Sequence, residues 1–162
     1  MRVRRIVAAL HPQAGAPADL DAIVELARSM DAELLGLFIE DIALLHFAAL
    51  PFAREVCAAS AVRREVDVAA MERSMRNRAE ELRGELAAAL GADPLPWSFR
   101  IARGTMSQQL LAACAGQPGP TLILPPGSDA DDEPQVLALA ELNEARLRQL
   151  LESGKPILVL AS

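Results

Sequence analysis

The chain has 162 residues, 52% hydrophobic and 23% charged, with a net charge of −6. That is enough for one domain, spanning 1–162, around one sizeable core, and too apolar for a disordered chain. The negative balance excludes generic attraction to nucleic acid or anionic membranes. No apolar run approaches the length of about 18 residues that a membrane span needs.

Arg2, Arg4 and Arg5 before Ile6–Leu10 imitate the start of a signal peptide, but His11 and Pro12 end the apolar run too early for one. Of 16 basic residues only Lys155 is lysine, an arginine bias that goes with the heavy alanine usage and reads as genome composition. The two cysteines, Cys57 and Cys114, are far apart in sequence and read as buried, reduced thiols in a cytosolic protein.

Arg5–Leu10 is continuous rather than alternating, the pattern of a strand buried on both faces. A Pro/Gly-rich loop from His11 to Pro17 leads into a helix carrying Leu20, Ile23, Val24, Leu26 and Ala27, with Asp19 as candidate N-cap. Leu34–Ile39 is a second strand, closed by Glu40 and Asp41. Leu44, Leu45, Phe47 and Leu50 suggest a short apolar helix that Pro51 limits.

A long helix is predicted from about Val66 to Leu90. Its apolar stripe is Val68, Met71, Met75, Ala79, Leu82, Leu86 and Leu90, ended by Gly91-Ala92-Asp93-Pro94. Met71 and Met75 read as core filler. Trp97–Ala102 is the third strand, and Thr105 with Gln108 forms a capping box into a helix over Ser107–Ala115. Thr121–Leu124 is the fourth strand.

After it comes Pro125-Pro126-Gly127-Ser128, then Asp129, Asp131, Asp132 and Glu133. Leu137–Leu151 reads as the last helix, beginning as early as Pro134, with Val136–Leu139 open to an extended reading. Gly154 suits the helix end and Pro156–Leu160 makes a fifth strand. Strands separated by helical patterns imply a parallel sheet with helices on both faces. The second connection, about 55 residues, must carry an extra helical element.

The segments RRIVAAL, LDAIVELARSMDAELLGLFIED, FRIARGTMSQQLLAACA, TLIL and KPILVLAS, in that order and spacing, resemble the universal stress protein family over nearly the whole chain. GLFIEDIALLHFAALPFAREV is similar to a divergent branch of it. The resemblance implies a Rossmann-like α/β fold with a five-stranded parallel sheet in the order 3-2-1-4-5. It also implies a last strand at the sheet edge, where Ile157–Leu160 is apolar and poorly guarded, and a homodimer that pairs this strand across a two-fold axis.

Family members that bind ATP carry an Asp at the end of the first strand, where this chain has His11. Their glycine-rich G-x-x-G element falls on Pro126-Gly127-Ser128-Asp129, and their Gly-Ser or Gly-Thr near the last helix on Asn143-Glu144. Each departure removes a donor or misplaces charge, so no family ATP-site residue carries over. An acid within about 6 Å of a triphosphate costs on the order of 1–3 kcal/mol. Asp129, Asp131 and Asp132 could hold a Mg²⁺ ion that offsets part of this, or form a solvated acidic loop. The EF-hand ligand pattern is not met.

The ligand-pocket candidates are therefore His11, Pro126, Gly127, Ser128, Asp129 and Asn143. His11 can bind an anion or act as a base, or be an ordinary loop histidine; no Asp or Ser partner is identifiable. His46 lies on an apolar segment and reads as structural, and distant His and Cys pairs make no zinc site. Arg54, Arg63 and Arg64 can receive an anion or a partner's carboxylates, or, more plainly, pair with Glu55 and Glu65. No serine has a G-x-S-x-G context, and four Phe, one Trp and no Tyr leave no base-stacking platform.

The expected function is a non-catalytic regulatory or stress-response protein of the universal stress type that has lost ATP binding. It needs no cofactor or metal, and has a regulatory protein partner as its target. The alternatives are a nucleotide binder with an altered phosphate loop, or a binder of another small ligand in the same pocket.

Overall fold

Strands with apolar side chains on both faces must be covered on both, and helices do this here. The computed structural model describes residues 2–10, 17–41, 61–92, 94–115 and 119–160. In chain order its elements are β1 (Arg5–Leu10), α1 (Pro17–Met30), β2 (Glu33–Asp41), α2 (Ala61–Leu90), β3 (Trp97–Gly104), α3 (Met106–Cys114), β4 (Thr121–Leu124), β5 (Gln135–Ala138), α4 (Glu144–Leu151) and β6 (Ile157–Leu160). A short 3-10 turn, Leu139–Glu141, joins β5 to α4.

The sheet has six strands in the order β3-β2-β1-β4-β6-β5. β1 to β4 are mutually parallel, with Ile6 opposite Leu34 and Leu122. On one face Val7, Ala9, Leu35, Leu37 and Ile123 pack with Leu110, Ala113 and Cys114 of α3 and Leu147 of α4. On the other, Ile6, Ala8, Leu34 and Phe38 pack with Leu20, Val24 and Ala27 of α1 and Ala79, Leu82, Leu86 and Leu90 of α2. Among the described residues no helix is long and apolar enough to cross a membrane.

The α/β class, the helices on both faces and the order β3-β2-β1-β4 match expectation. The far side of the sheet does not. There are six strands rather than five, and β6 runs antiparallel to β4, pairing Thr121 with Val159 and Ile123 with Ile157. β5 runs parallel to β6 as the edge strand, with Gln135 opposite Ile157. The C-terminal strand is therefore interior, with β4 on one side and β5 on the other.

The difference begins just after β4, where the chain leaves through the Pro125–Ser128 turn and the next apolar residues form β5 in place of a crossover helix. The expected last helix over Leu137–Leu151 accordingly begins only at Glu144, and the extended reading of Val136–Leu139 holds as far as Ala138.

Smaller differences have local causes. α1 begins at Pro17, a residue suited to the first helical position, so Asp19 sits inside the first turn and is not the cap. α2 starts at Ala61, earlier than expected. β3 continues through Arg103 and Gly104, which pair with Glu40 and Asp41 of β2. Met75, Ala79, Leu82, Leu86 and Leu90 of the α2 stripe are buried, while Met71 is only half-buried. The short helix expected near Leu44–Leu50 and the side chains of Arg54, Arg63 and Arg64 lie outside the described residues.

Candidate functional site

In an open α/β sheet ligands gather at the carboxyl ends of the parallel strands. Here β1 and β4 are neighbours in register up to Ala8 opposite Leu124. The Pro125–Ser128 turn therefore stands at the same end of the sheet as the end of β1. The Ser128 N–H donates to the Pro125 carbonyl at 3.0 Å, and Gly127 has φ 73. Proline second and a positive-φ glycine third are what a type II turn requires.

The turn is made by its own sequence, and what it offers a ligand is limited. Pro125 and Pro126 have no N–H, and the Ser128 N–H is engaged in closing the turn. The chain then folds on itself: the Asp131 N–H donates to Asp129 Oδ1 at 2.9 Å, and the Asp132 N–H to the Asp129 carbonyl at 3.1 Å. Among the described residues no group of three or more metal-ligating side chains is placed to hold an ion. His11 lies outside the described residues.

The same end of the sheet carries an ion-pair cluster that sequence reasoning missed. Glu40, near the end of β2, is 7% exposed, and Arg103 Nε donates to its Oε2 at 3.3 Å. The same guanidinium reaches Glu72 Oε1 of α2 at 3.7 Å. One arginine thus serves two carboxylates, and the cluster is net negative. The available signal is charge matching across β2 and β3, where the register places Glu40 opposite Arg103.

Thr105 begins α3 beside this cluster. Its Oγ1 accepts from the Gln108 N–H at 3.3 Å, the threonine half of the expected capping box.

Asn143 stands elsewhere. It is the N-cap of α4, its Oδ1 accepting from the Arg146 N–H at 2.8 Å. Because β5 and β6 run opposite to β4, β5 ends, and α4 begins, at the amino ends of β1 to β4. The structure therefore brings Pro126, Gly127, Ser128 and Asp129 together and places Asn143 at the opposite end of the sheet. It is the carboxyl end of α4, the negative end of its dipole, that lies on the ligand side.

A cavity of about 290 Å³ lies at the amino ends of β2 and β3, lined by Arg28, Asp31, Pro94, Leu95 and Pro96. Arg28 there donates to the Ala89 and Leu90 carbonyls at 3.3 and 3.4 Å, closing the end of α2. That is a structural contact, complementary to the helix dipole.

The buried thiol of Cys114 sits beside Arg5, whose Nη1 donates to the Ala113 carbonyl at 3.1 Å. Burial pushes the thiol up from 9.0 to about 11, with Arg5 pulling it partly back, so it is protonated and unreactive at neutral pH.

No family model matches the chain, and no curated protein matches it. Among solved structures it is similar to the universal stress protein UspA from Lactobacillus plantarum, at 14% identity over 99% of this chain and 98% of that one, with a TM-score of 0.40. A likeness of that size carries no argument about family or function, and the α/β assignment rests on the sheet described above.

Proposed function

We propose that the protein is a non-catalytic regulatory protein of the universal stress type that does not bind ATP and acts through a protein partner in the cytoplasm. The segment resemblance supports the type. The single observation that carries the loss of ATP binding is the reversal of β5-α4-β6 relative to β1–β4. A triphosphate is ordinarily met by glycine N–H groups and a helix N-terminus. Here the ligand side presents a proline turn, four nearby acids, an arginine already shared by two carboxylates and the carboxyl end of α4.

Calorimetric titration with ATP plus Mg²⁺, with AMP as control, tests this. The expected result is no saturable heat up to millimolar nucleotide. Saturable micromolar binding of ATP overturns the reading in favour of an altered phosphate site, with Asp129 and Asp131 as the first residues to replace.

A further inference from the structure

Among the described residues the β5 edge is open, apolar and bordered by acids outside any ion pair. The Gln135 N–H donates to the Pro156 carbonyl at 2.8 Å, so in the parallel register Gln135 and Leu137 turn their backbone groups toward β6. The N–H and C=O of Val136 and the N–H of Ala138 then point away from the sheet. The Val136 side chain is 61% exposed, beside the partly buried Leu158 opposite it on β6.

Asp129, Asp131, Asp132 and Glu133 precede this edge and Glu141 follows it, all exposed and none in an ion pair among the described residues. Edge strands left this way are templates for another strand. The flanking charge selects which one. Antiparallel pairing with a second copy brings the acids that precede β5 in one copy toward Glu141, which follows β5 in the other. Like charges in facing positions disfavour that arrangement.

We propose that β5 is a docking edge for an extended segment of another protein, with apolar residues covering Val136 and arginines or lysines on both sides facing the acids. Main-chain hydrogen bonds supply affinity in such strand addition, and side chains supply the choice. This deepens the partner half of the proposed function and rests on it.

The test is fluorescence anisotropy with a labelled peptide of alternating valine and threonine bearing two arginines at each end, and the same core flanked by glutamates as control. The arginine peptide is expected to bind saturably and to weaken on going from 50 to 500 mM salt, the glutamate peptide not to bind. Val136→Pro removes an outward N–H and leaves the bonds to β6 intact, and it is expected to weaken binding about tenfold or more with Tm retained. Should that variant fail to fold, Asp132→Lys with Glu133→Lys decides, by reversing the preference toward the glutamate peptide.

Equal binding of both peptides, no binding of either, or undiminished binding by folded Val136→Pro overturns the proposal. So does a stable dimer in sedimentation that blocks the peptide. Peptide binding accompanied by ATP binding keeps this edge and overturns the non-nucleotide reading. Absence of both keeps that reading and overturns the edge.

Discussion

Cys114 shows how a single buried group ties stability to pH. Its folded pKa of about 11 exceeds the ordinary 9.0, so above pH 9 the unfolded chain gives up a proton that the native state keeps. The contribution is full below about pH 9 and is lost as pH rises toward 11; a shift of this size is worth roughly 2–3 kcal/mol. Urea titrations from pH 8 to 11 should show this decline, and Cys114→Ala should flatten it. At the same scale, the turn at Gly127 was readable because Pro-Gly chemistry is local. Asn143 as a cap was also readable from an Asn followed by an acid, whereas a helix drawn from Leu137 hides it.

Among elements, α2 is the clearest case of periodicity setting burial. Leu82 is fully buried against Phe38 and Leu10, while Arg83, the next residue, is exposed. Leu82→Ala is expected to cost about 2–5 kcal/mol in chemical denaturation, since the fixed sheet beneath cannot collapse into the space. Arg83→Ala should stay within about 0.5 kcal/mol. The Arg103 cluster belongs to this scale too, because it joins the end of β3 to β2 and to α2. Its members lie on three separate elements, and only the register of β2 and β3 brings Glu40 and Arg103 together.

For the whole molecule the decisive feature is where β6 sits. With β4 on one side and β5 on the other, a homodimer paired through the C-terminal strand would have to displace β5. In the parallel register the Leu158 N–H points toward β5, so Leu158→Pro should cost about 1–3 kcal/mol by leaving a sheet carbonyl unpaired. Thermal unfolding checks this; on a free edge the same change would be nearly silent.

The sequence by itself determined the strand–helix alternation as far as β4, the apolar faces and the lack of a glycine phosphate loop, because each depends on neighbours within a few residues. Only the tertiary structure decided the direction of β6, the edge position of β5 and the separation of Asn143 from Pro126–Asp129. The physical reason is that strands as short as Gln135–Ala138 and Ile157–Leu160 carry the same pattern whichever way they run. Their direction is set by long-range pairing, which leaves no local mark in the residues.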